Sequence, residues 1–316
     1  MPSCNKEIVL EIVTSNLLAS IELIMLISSI VAVPVLIHMF KSCQQSTLIH
    51  FNIKLIGGFH CVCLLIHCVA RIFQHTADIF LYYILNIPTC DRIPSIWRCL
   101  LTRIPYVFGL FCASYSTVFM VIERTIATKN YKKYENRRKI LGFWLIFSQI
   151  FMGGTTSIVI FWNFDFRKPA EFCSASKSAD PYFVIFPEFL AIFSNFLAFF
   201  QFNRLIRINK NIRICDTETN LNQKYQVQEN LSVITVLKAF TQCDFVFIVL
   251  YFTLGIPFHF FGKFMSHAEY YALFEGRFWC CQGDYGTVRK VLVLPERFRS
   301  CQEALDAAES AVLLES

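Results

Sequence analysis

The chain has 316 residues, of which 55% are hydrophobic and only 16% are charged, and 34 are phenylalanine. A soluble domain carries about 25% charged residues, so this composition excludes an ordinary soluble globular protein. The formal net charge of +6 falls mainly in loops, where membrane topology explains it better than nucleic-acid binding, and we expect no nucleic-acid partner.

Six apolar segments are each close to the length of about 20 residues that crosses a bilayer. In chain order they cover roughly 17–39, 55–73, 101–123, 140–162, 182–202 and 236–261. They are continuously apolar, unlike the alternating strands of a membrane β-barrel. The first lacks the basic region and cleavage site of a signal peptide, so we expect it to be retained. The sequence predicts an all-α membrane bundle over residues 17–262, after a short N-terminus of 1–16.

The loop charges predict the orientation of this bundle. Most lysines and arginines of the short loops follow the third and fifth segments, which places both loops in the cytosol and the N-terminus outside. The sequon Asn230-Leu231-Ser232 is then cytoplasmic, and we expect it to be unglycosylated. We therefore expect the protein to lie in a lipid bilayer.

Four cysteines fall on the predicted outer side, where disulfides are permitted: Cys4, Cys90, Cys99 and Cys173. A bridge between Cys99, at the start of the third span, and Cys173, after the fourth, would hold the intervening loop across the mouth of the bundle. Cys90 competes as a partner for either, because connectivity does not follow from sequence. Most other cysteines lie in apolar spans and behave as small hydrophobes.

Polar side chains interrupt several spans, and they are costly there unless they face the bundle interior. We expect interhelical contacts, rather than ligand contacts, from His60, His67, Glu188, Asn195 and Asp244. The ligand pocket itself is expected to be apolar and aromatic-rich, with unknown lining residues. No phosphate loop, nucleophile elbow or zinc-protease motif is present, so we expect no enzyme activity, no metal and no cofactor.

Three stretches resemble one family: MVIERTIAT followed by NYKKYENRRK, NQKYQVQENLSVITVLKAF, and HFNIKLIGGFHCVCLLIHCVARIFQHTADIF. They are similar to the nematode serpentine receptor class alpha/beta (Srab), with the alpha, beta and epsilon classes as near relatives, over roughly residues 17–262. The resemblance implies a heptahelical G-protein-coupled receptor in the plasma membrane of sensory neurons, in their cilia. It would bind a small environmental chemical and signal through a heterotrimeric G protein.

By the same resemblance, Glu123 and Arg124 would form the switch at the cytosolic end of the third span. Arg124 would contact Glu123 or a neighbouring helix in the inactive state and turn toward the G protein on activation. The alternative is that Arg124 only anchors the helix at the interface. Pro257 would kink the sixth span and serve as its pivot. A coupling surface, or simply a solvated helix end, is predicted for Tyr225, Gln226, Glu229 and Asn230.

The segment 263–316 departs from the family pattern. Charged residues interrupt it repeatedly, so the seventh span is expected to be missing or replaced by a largely irregular tail. A short helix is expected near 301–314, because Ser300 and Glu303 have the spacing of a capping box. A truncated isoform, a non-signalling variant that joins a receptor oligomer, and a six-span channel or transporter therefore stay open as alternatives.

Overall fold

The computed structural model describes residues 6–46, 49–84, 96–130, 140–162, 181–215, 265–272 and much of 227–249. Seven helices are numbered here in chain order. They are α1 (Lys6–Thr14), α2 (Asn16–Gln45), α3 (Phe51–Ile79), α4 (Ile96–Lys129), α5 (Ile140–Phe161), α6 (Pro181–Cys215) and α7 (Asn230–Ala239). A π-helical turn over Phe80–Ile84 continues α3, and a short helix covers 267–272. The described chain is thus almost entirely helical.

Five helices are long and apolar enough to cross a membrane, namely α2 to α6. This confirms the predicted all-α bundle and locates its first five spans. The sixth predicted span begins within α7, and most of its remaining length, including Asp244 and Pro257, lies outside the described residues. Side chains such as Leu23, Ile27 and Phe193 are exposed on α2 and α6, as expected of surfaces that face lipid.

Helix α4 lies at the centre of the bundle and packs against α3, α5 and α6. Its most apolar window is 78% buried, whereas that of α2 is only 17% buried. Glycines permit the close crossings: a Cβ on Gly109 would lie 2.5 Å from the Cys63 carbonyl oxygen. A Cβ on Gly153 would lie 2.2 Å from Cys112 Sγ, but one on Gly154 would meet nothing within 4 Å. Gly109 and Gly153 therefore allow α4 to pack closely against α3 and α5.

The helices extend beyond the apolar segments that predict them. The second segment ends at Phe73 by hydropathy, whereas α3 continues to Ile79 and its π-helical turn to Ile84. The added stretch begins with polar residues, and Gln74, His75 and Asp78 are buried on the inner face of the helix. A span predicted from hydropathy ends where polar residues begin, even when those residues face the inside of the bundle and the helix continues.

Residues 265–272, from the segment beyond Gly262, pack against the N-terminal part of the bundle. Tyr270 and Tyr271 belong to one buried apolar cluster with Ile12 of α1 and Tyr82 of the π-helical turn. The Ala268 amide donates to Glu11 Oε1 at 2.8 Å. Residues 273–316, including the helix expected near 301–314, lie outside the described residues.

Candidate functional site

Glu123 and Arg124 lie near the C-terminal end of α4 and are closed on each other. Arg124 Nε donates to Glu123 Oε2 at 2.5 Å, and Arg124 Nη2 donates to Glu123 Oε1 at 2.7 Å. This two-bond geometry is the strong form of a guanidinium–carboxylate pair. The two residues are 0% and 3% exposed, so the guanidinium is held inside the bundle rather than extended to its surface.

The same guanidinium also holds α7. Arg124 Nη1 donates to Asn230 Oδ1 at 3.0 Å, and Asn230 Nδ2 donates to Thr128 Oγ1 at 3.0 Å and Asn209 Oδ1 at 2.9 Å. Asn209 Nδ2 in turn donates to Thr128 Oγ1 at 3.0 Å and to the Leu205 carbonyl at 2.8 Å. These bonds join α4, α6 and α7 at one end of the bundle.

We call Glu123, Arg124, Thr128, Asn209 and Asn230 the Arg124 network. Arg124 and Thr128 are four residues apart on α4 and therefore share one helix face. Asn230 is 8% exposed, and its amide oxygen and nitrogen are both engaged. As the asparagine of the sequon, it could be glycosylated only after leaving this network. The arrangement can act as a clasp, because it depends on α7 staying against α4 and α6.

The structure brings three predicted switch residues together: Glu123, Arg124 and Asn230. Neither the Glu-Arg motif nor the YQ-x-x-EN stretch indicated the hydrogen bond between Arg124 and Asn230. Thr128 and Asn209 were missed altogether, although their positions near the ends of apolar runs could have drawn attention. Tyr225, Gln226 and Glu229 lie outside the described residues.

The polar residues predicted inside the spans are buried and bond across helix pairs. Asn195 Nδ2 donates to the Ser114 carbonyl at 3.1 Å, and its Oδ1 accepts from the Thr117 hydroxyl. His60 Nδ1 lies 3.2 Å from the Ala113 carbonyl oxygen, and His67 Nδ1 lies 2.9 Å from that of Tyr106. Glu188 is also buried on α6. Each of the first three residues binds α4.

Cys99 is disulfide-bonded. The other cysteines whose state is described are free thiols, namely Cys43, Cys61, Cys63, Cys68 and Cys112. The partner of Cys99 is therefore none of these five thiols, and Cys90 and Cys173 lie outside the described residues. Within the described part of the chain, no group of three or more histidine, cysteine or acidic side chains has the geometry of a metal site.

A second polar region lies between α2, α3 and α4, toward the end of the bundle that carries Cys99. We call it the Glu22 cluster; its members are Glu22, Arg71, Gln74, His75, Asp78, Arg98 and Arg103. Glu22 Oε2 pairs with His75 Nδ1, and Asp78 Oδ1 accepts from Arg98 Nη2 at 2.9 Å. Except for Arg98, every member is almost fully buried.

Two further members of the Glu22 cluster, Arg71 and Arg103, are cationic. Arg71 Nη2 lies 3.0 Å from the Met25 sulfur, and the guanidinium of Arg103 lies 5.2 Å from the centre of the Tyr106 ring. Sequence analysis did not single out these seven residues, and it expected a ligand pocket that is apolar and aromatic-rich. The signal was present, because polar residues recur at 71, 74, 75 and 78 with the spacing of one helix face.

Comparison with known proteins supplies the family context. A sequence model described as "Serpentine type 7TM GPCR receptor class ab chemoreceptor" matches residues 3–306. The match includes most of the segment that the sequence analysis separates as an atypical tail.

Two relatives from Caenorhabditis elegans are also similar to this chain. "Serpentine receptor class beta-17" is 26% identical over 235 residues, which cover 73% of this chain and 64% of the relative. "Serpentine receptor class alpha/beta-14" is 26% identical over 157 residues, 47% of this chain and 39% of the relative. The aligned region thus spans less than two thirds of the length of either relative.

Proposed function

The chain belongs to the serpentine type 7TM GPCR receptor class ab chemoreceptor family, and from that premise we propose that it detects a small environmental molecule and signals through a heterotrimeric G protein. The observation that carries this proposal is the Arg124 network. It ties the helix that bears the Glu-Arg pair to α6 and α7 at one end of the bundle.

The physical basis of the proposed switch is the competition for the Arg124 guanidinium. In the closed arrangement it is satisfied by the Glu123 carboxylate and the Asn230 amide. A buried cation must keep such partners, because an unpaired charge inside the bundle is costly. Movement of α7 away from α4 would remove one partner and expose this end to water. Arg124 could then turn toward a G protein, which supplies new acceptors.

The topology follows from the same proposal. The multi-pass protein lies in the plasma membrane, in sensory cilia, with its N-terminus outside and the Arg124 network at the cytosolic end. The basic loops after the third and fifth spans support this orientation. The disulfide of Cys99 then lies outside, where Cys173 is the proposed partner. Within the described residues, no feature favours the alternative of a six-span channel or transporter.

The direct test is G-protein activation by the full chain expressed in cells, with and without a panel of small chemicals. We expect activation to be lost in Arg124→Ala at equal surface expression. Arg204→Ala is the matched control, because this arginine is exposed on α6 and is not part of the network. Normal signalling by Arg124→Ala, or no G-protein activation by well-expressed wild-type protein under any condition, would refute the proposal.

A further inference from the structure

The Glu22 cluster places several ionisable groups inside helices that are otherwise apolar. Glu22 belongs to α2, His75 and Asp78 belong to α3, and Arg98 lies in the first turn of α4. Each carboxylate uses one oxygen for a cationic or imidazole partner, His75 for Glu22 and Arg98 for Asp78. The two carboxylates also interact electrostatically with each other. Three helices therefore converge on one small polar region.

Several atoms of this region have unused hydrogen-bonding capacity. Glu22 Oε1, Gln74 Oε1, Gln74 Nε2, His75 Nε2 and Asp78 Oδ2 are buried and have no hydrogen-bond partner within the described structure. Gln74 is the clearest case, because it is 2% exposed and neither end of its amide is engaged. A buried polar group without a partner costs about 1–3 kcal/mol, so the protein retains a destabilising arrangement here.

We propose that these atoms form a binding site for a small, water-soluble molecule whose polar end donates hydrogen bonds, with a primary amine as the best fit. This inference rests on the proposed receptor function and assigns the ligand class. Three of the unused atoms are acceptors, and two of those are carboxylate oxygens. A protonated amine carries three N–H donors, so it matches those three acceptors, and its charge would compete with His75 and Arg98 for the two carboxylates. A hydroxyl matches it less completely.

The location of the site supports a ligand that enters from one end of the bundle. Arg98, whose side chain is 27% exposed, is the least buried member and precedes the disulfide-bonded Cys99. The Asp78–Arg98 pair therefore lies at the entrance, and Glu22, Gln74 and His75 lie within. A purely apolar ligand would cover the unused polar atoms without bonding to them, which adds a desolvation cost and no compensation.

The test measures ligand binding by the thermal unfolding of the purified full chain in lipid nanodiscs. Four probes share one hydrocarbon chain and differ at the polar end: hexylamine, hexanol, hexane and hexanoate. Ligands that bind the native state raise its melting temperature by mass action. We expect the largest rise with hexylamine, a smaller one with hexanol and none with hexane. If hexanoate gives the largest rise, or hexane equals hexylamine, the assignment is wrong.

Gln74→Leu tests the residue that carries the inference. It should weaken hexylamine binding by about 10-fold to 100-fold, the loss expected for a hydrogen bond to a charged group. The unliganded protein should keep or raise its melting temperature, because the substitution removes an amide that has no partner. If Gln74→Leu does not fold, Gln74→Met makes the same test. Unchanged hexylamine binding in the folded variant would overturn the proposal.

Gln149→Leu is the matched control, since Gln149 is equally buried and its amide nitrogen is engaged, whereas its Oε1 has no hydrogen-bond partner within the described structure. Its Nε2 donates to the Cys112 carbonyl at 2.7 Å and to Ser116 Oγ at 2.5 Å. This variant should lower the melting temperature and retain the response to hexylamine. Because binding is read without a G protein, hexylamine binding without signalling would reject the receptor function and keep the site. Signalling in response to other chemicals, without hexylamine binding, would reject the amine site and keep the receptor function.

Discussion

Replacement of Asn230 by alanine separates a clasp from an ordinary packing contact. The side chain bonds to Arg124, Thr128 and Asn209 at 2.9–3.0 Å, and alanine removes all three bonds. The bond to the Arg124 guanidinium is worth about 1.5–3 kcal/mol, because one partner is charged. Movement of α7 away from α4 also breaks the bond to Thr128, so this amount is the least that the closed state loses relative to the open state in Asn230→Ala.

That loss has a large effect on a two-state equilibrium. Each 1.4 kcal/mol changes an equilibrium constant by about tenfold, so Asn230→Ala should favour the open state by roughly 10-fold to 100-fold. A minor state populated at about 1% would rise to about 10% or more. Ligand-independent signalling should increase by about tenfold, although the two neutral bonds that are also lost should lower overall stability.

The assay is basal nucleotide exchange on a G protein, normalised to the number of receptors at the cell surface. Asn203→Ala is the matched control, because Asn203 lies on α6 and its Nδ2 donates only to the Phe199 carbonyl one turn away, at 3.1 Å. It should leave basal exchange unchanged. If Asn230→Ala lowers stability but its basal exchange equals that of Asn203→Ala, the network is structural and the switch reasoning is refuted.

Three further outcomes follow from packing, covalent and electrostatic features. Gly153→Ala should lower stability by about 1–3 kcal/mol through overpacking, and Gly154→Ala, which faces open space, should leave the melting temperature unchanged. Cys99→Ser should lower the free energy of unfolding by about 2–4 kcal/mol. If Cys173 is its partner, Cys173→Ser should lower it by the same amount, and the double variant should lower it no further. A different result for Cys173→Ser would mean that another cysteine is the partner. Burial raises the pKa of Glu11, but hydrogen bonds to residues 266–268 outweigh it and lower the pKa overall. The contact between Glu11 and the segment 265–272 should therefore hold above the ordinary glutamate pKa and weaken as the pH falls through the lowered pKa. The measurement is the protection of the residue 268 amide against hydrogen exchange, which should decrease over that pH range. Glu11→Gln should abolish this pH dependence.

The spans could be predicted from sequence because each offers an apolar surface to lipid. The fourth segment was predicted at 140–162 and observed at Ile140–Phe161. The second was predicted to end at Phe73, although the helix continues for two more turns. Its polar residues there face other helices, and sequence alone does not show which side of a helix faces a partner. The unexpected length of α3 is what brings Gln74 and Asp78 into the bundle.

The Arg124 network was only half accessible to sequence reasoning. A family motif indicated Glu123 and Arg124, because the two residues of the pair are adjacent in the sequence. Asn230 was singled out with its neighbours, but its partner is 106 residues away in the chain. Thr128 and Asn209 are ordinary residues for a helix end, and only their convergence gives them a role. Contacts between distant segments are set by packing, which a single sequence does not specify.

The two polar regions lie toward opposite ends of the central helix, and this placement makes their coupling measurable. Arg98 and Arg124 are separated on α4 by about 26 residues, or on the order of 39 Å of helix. If an amine at the Glu22 cluster favours the open state, linkage requires the reverse effect of equal size. Asn230→Ala should then increase the affinity for hexylamine, up to the factor by which hexylamine increases signalling, and Asn203→Ala should not. Raised basal exchange with unchanged hexylamine affinity would mean that the two regions act independently, because a ligand that binds both states equally cannot shift their populations.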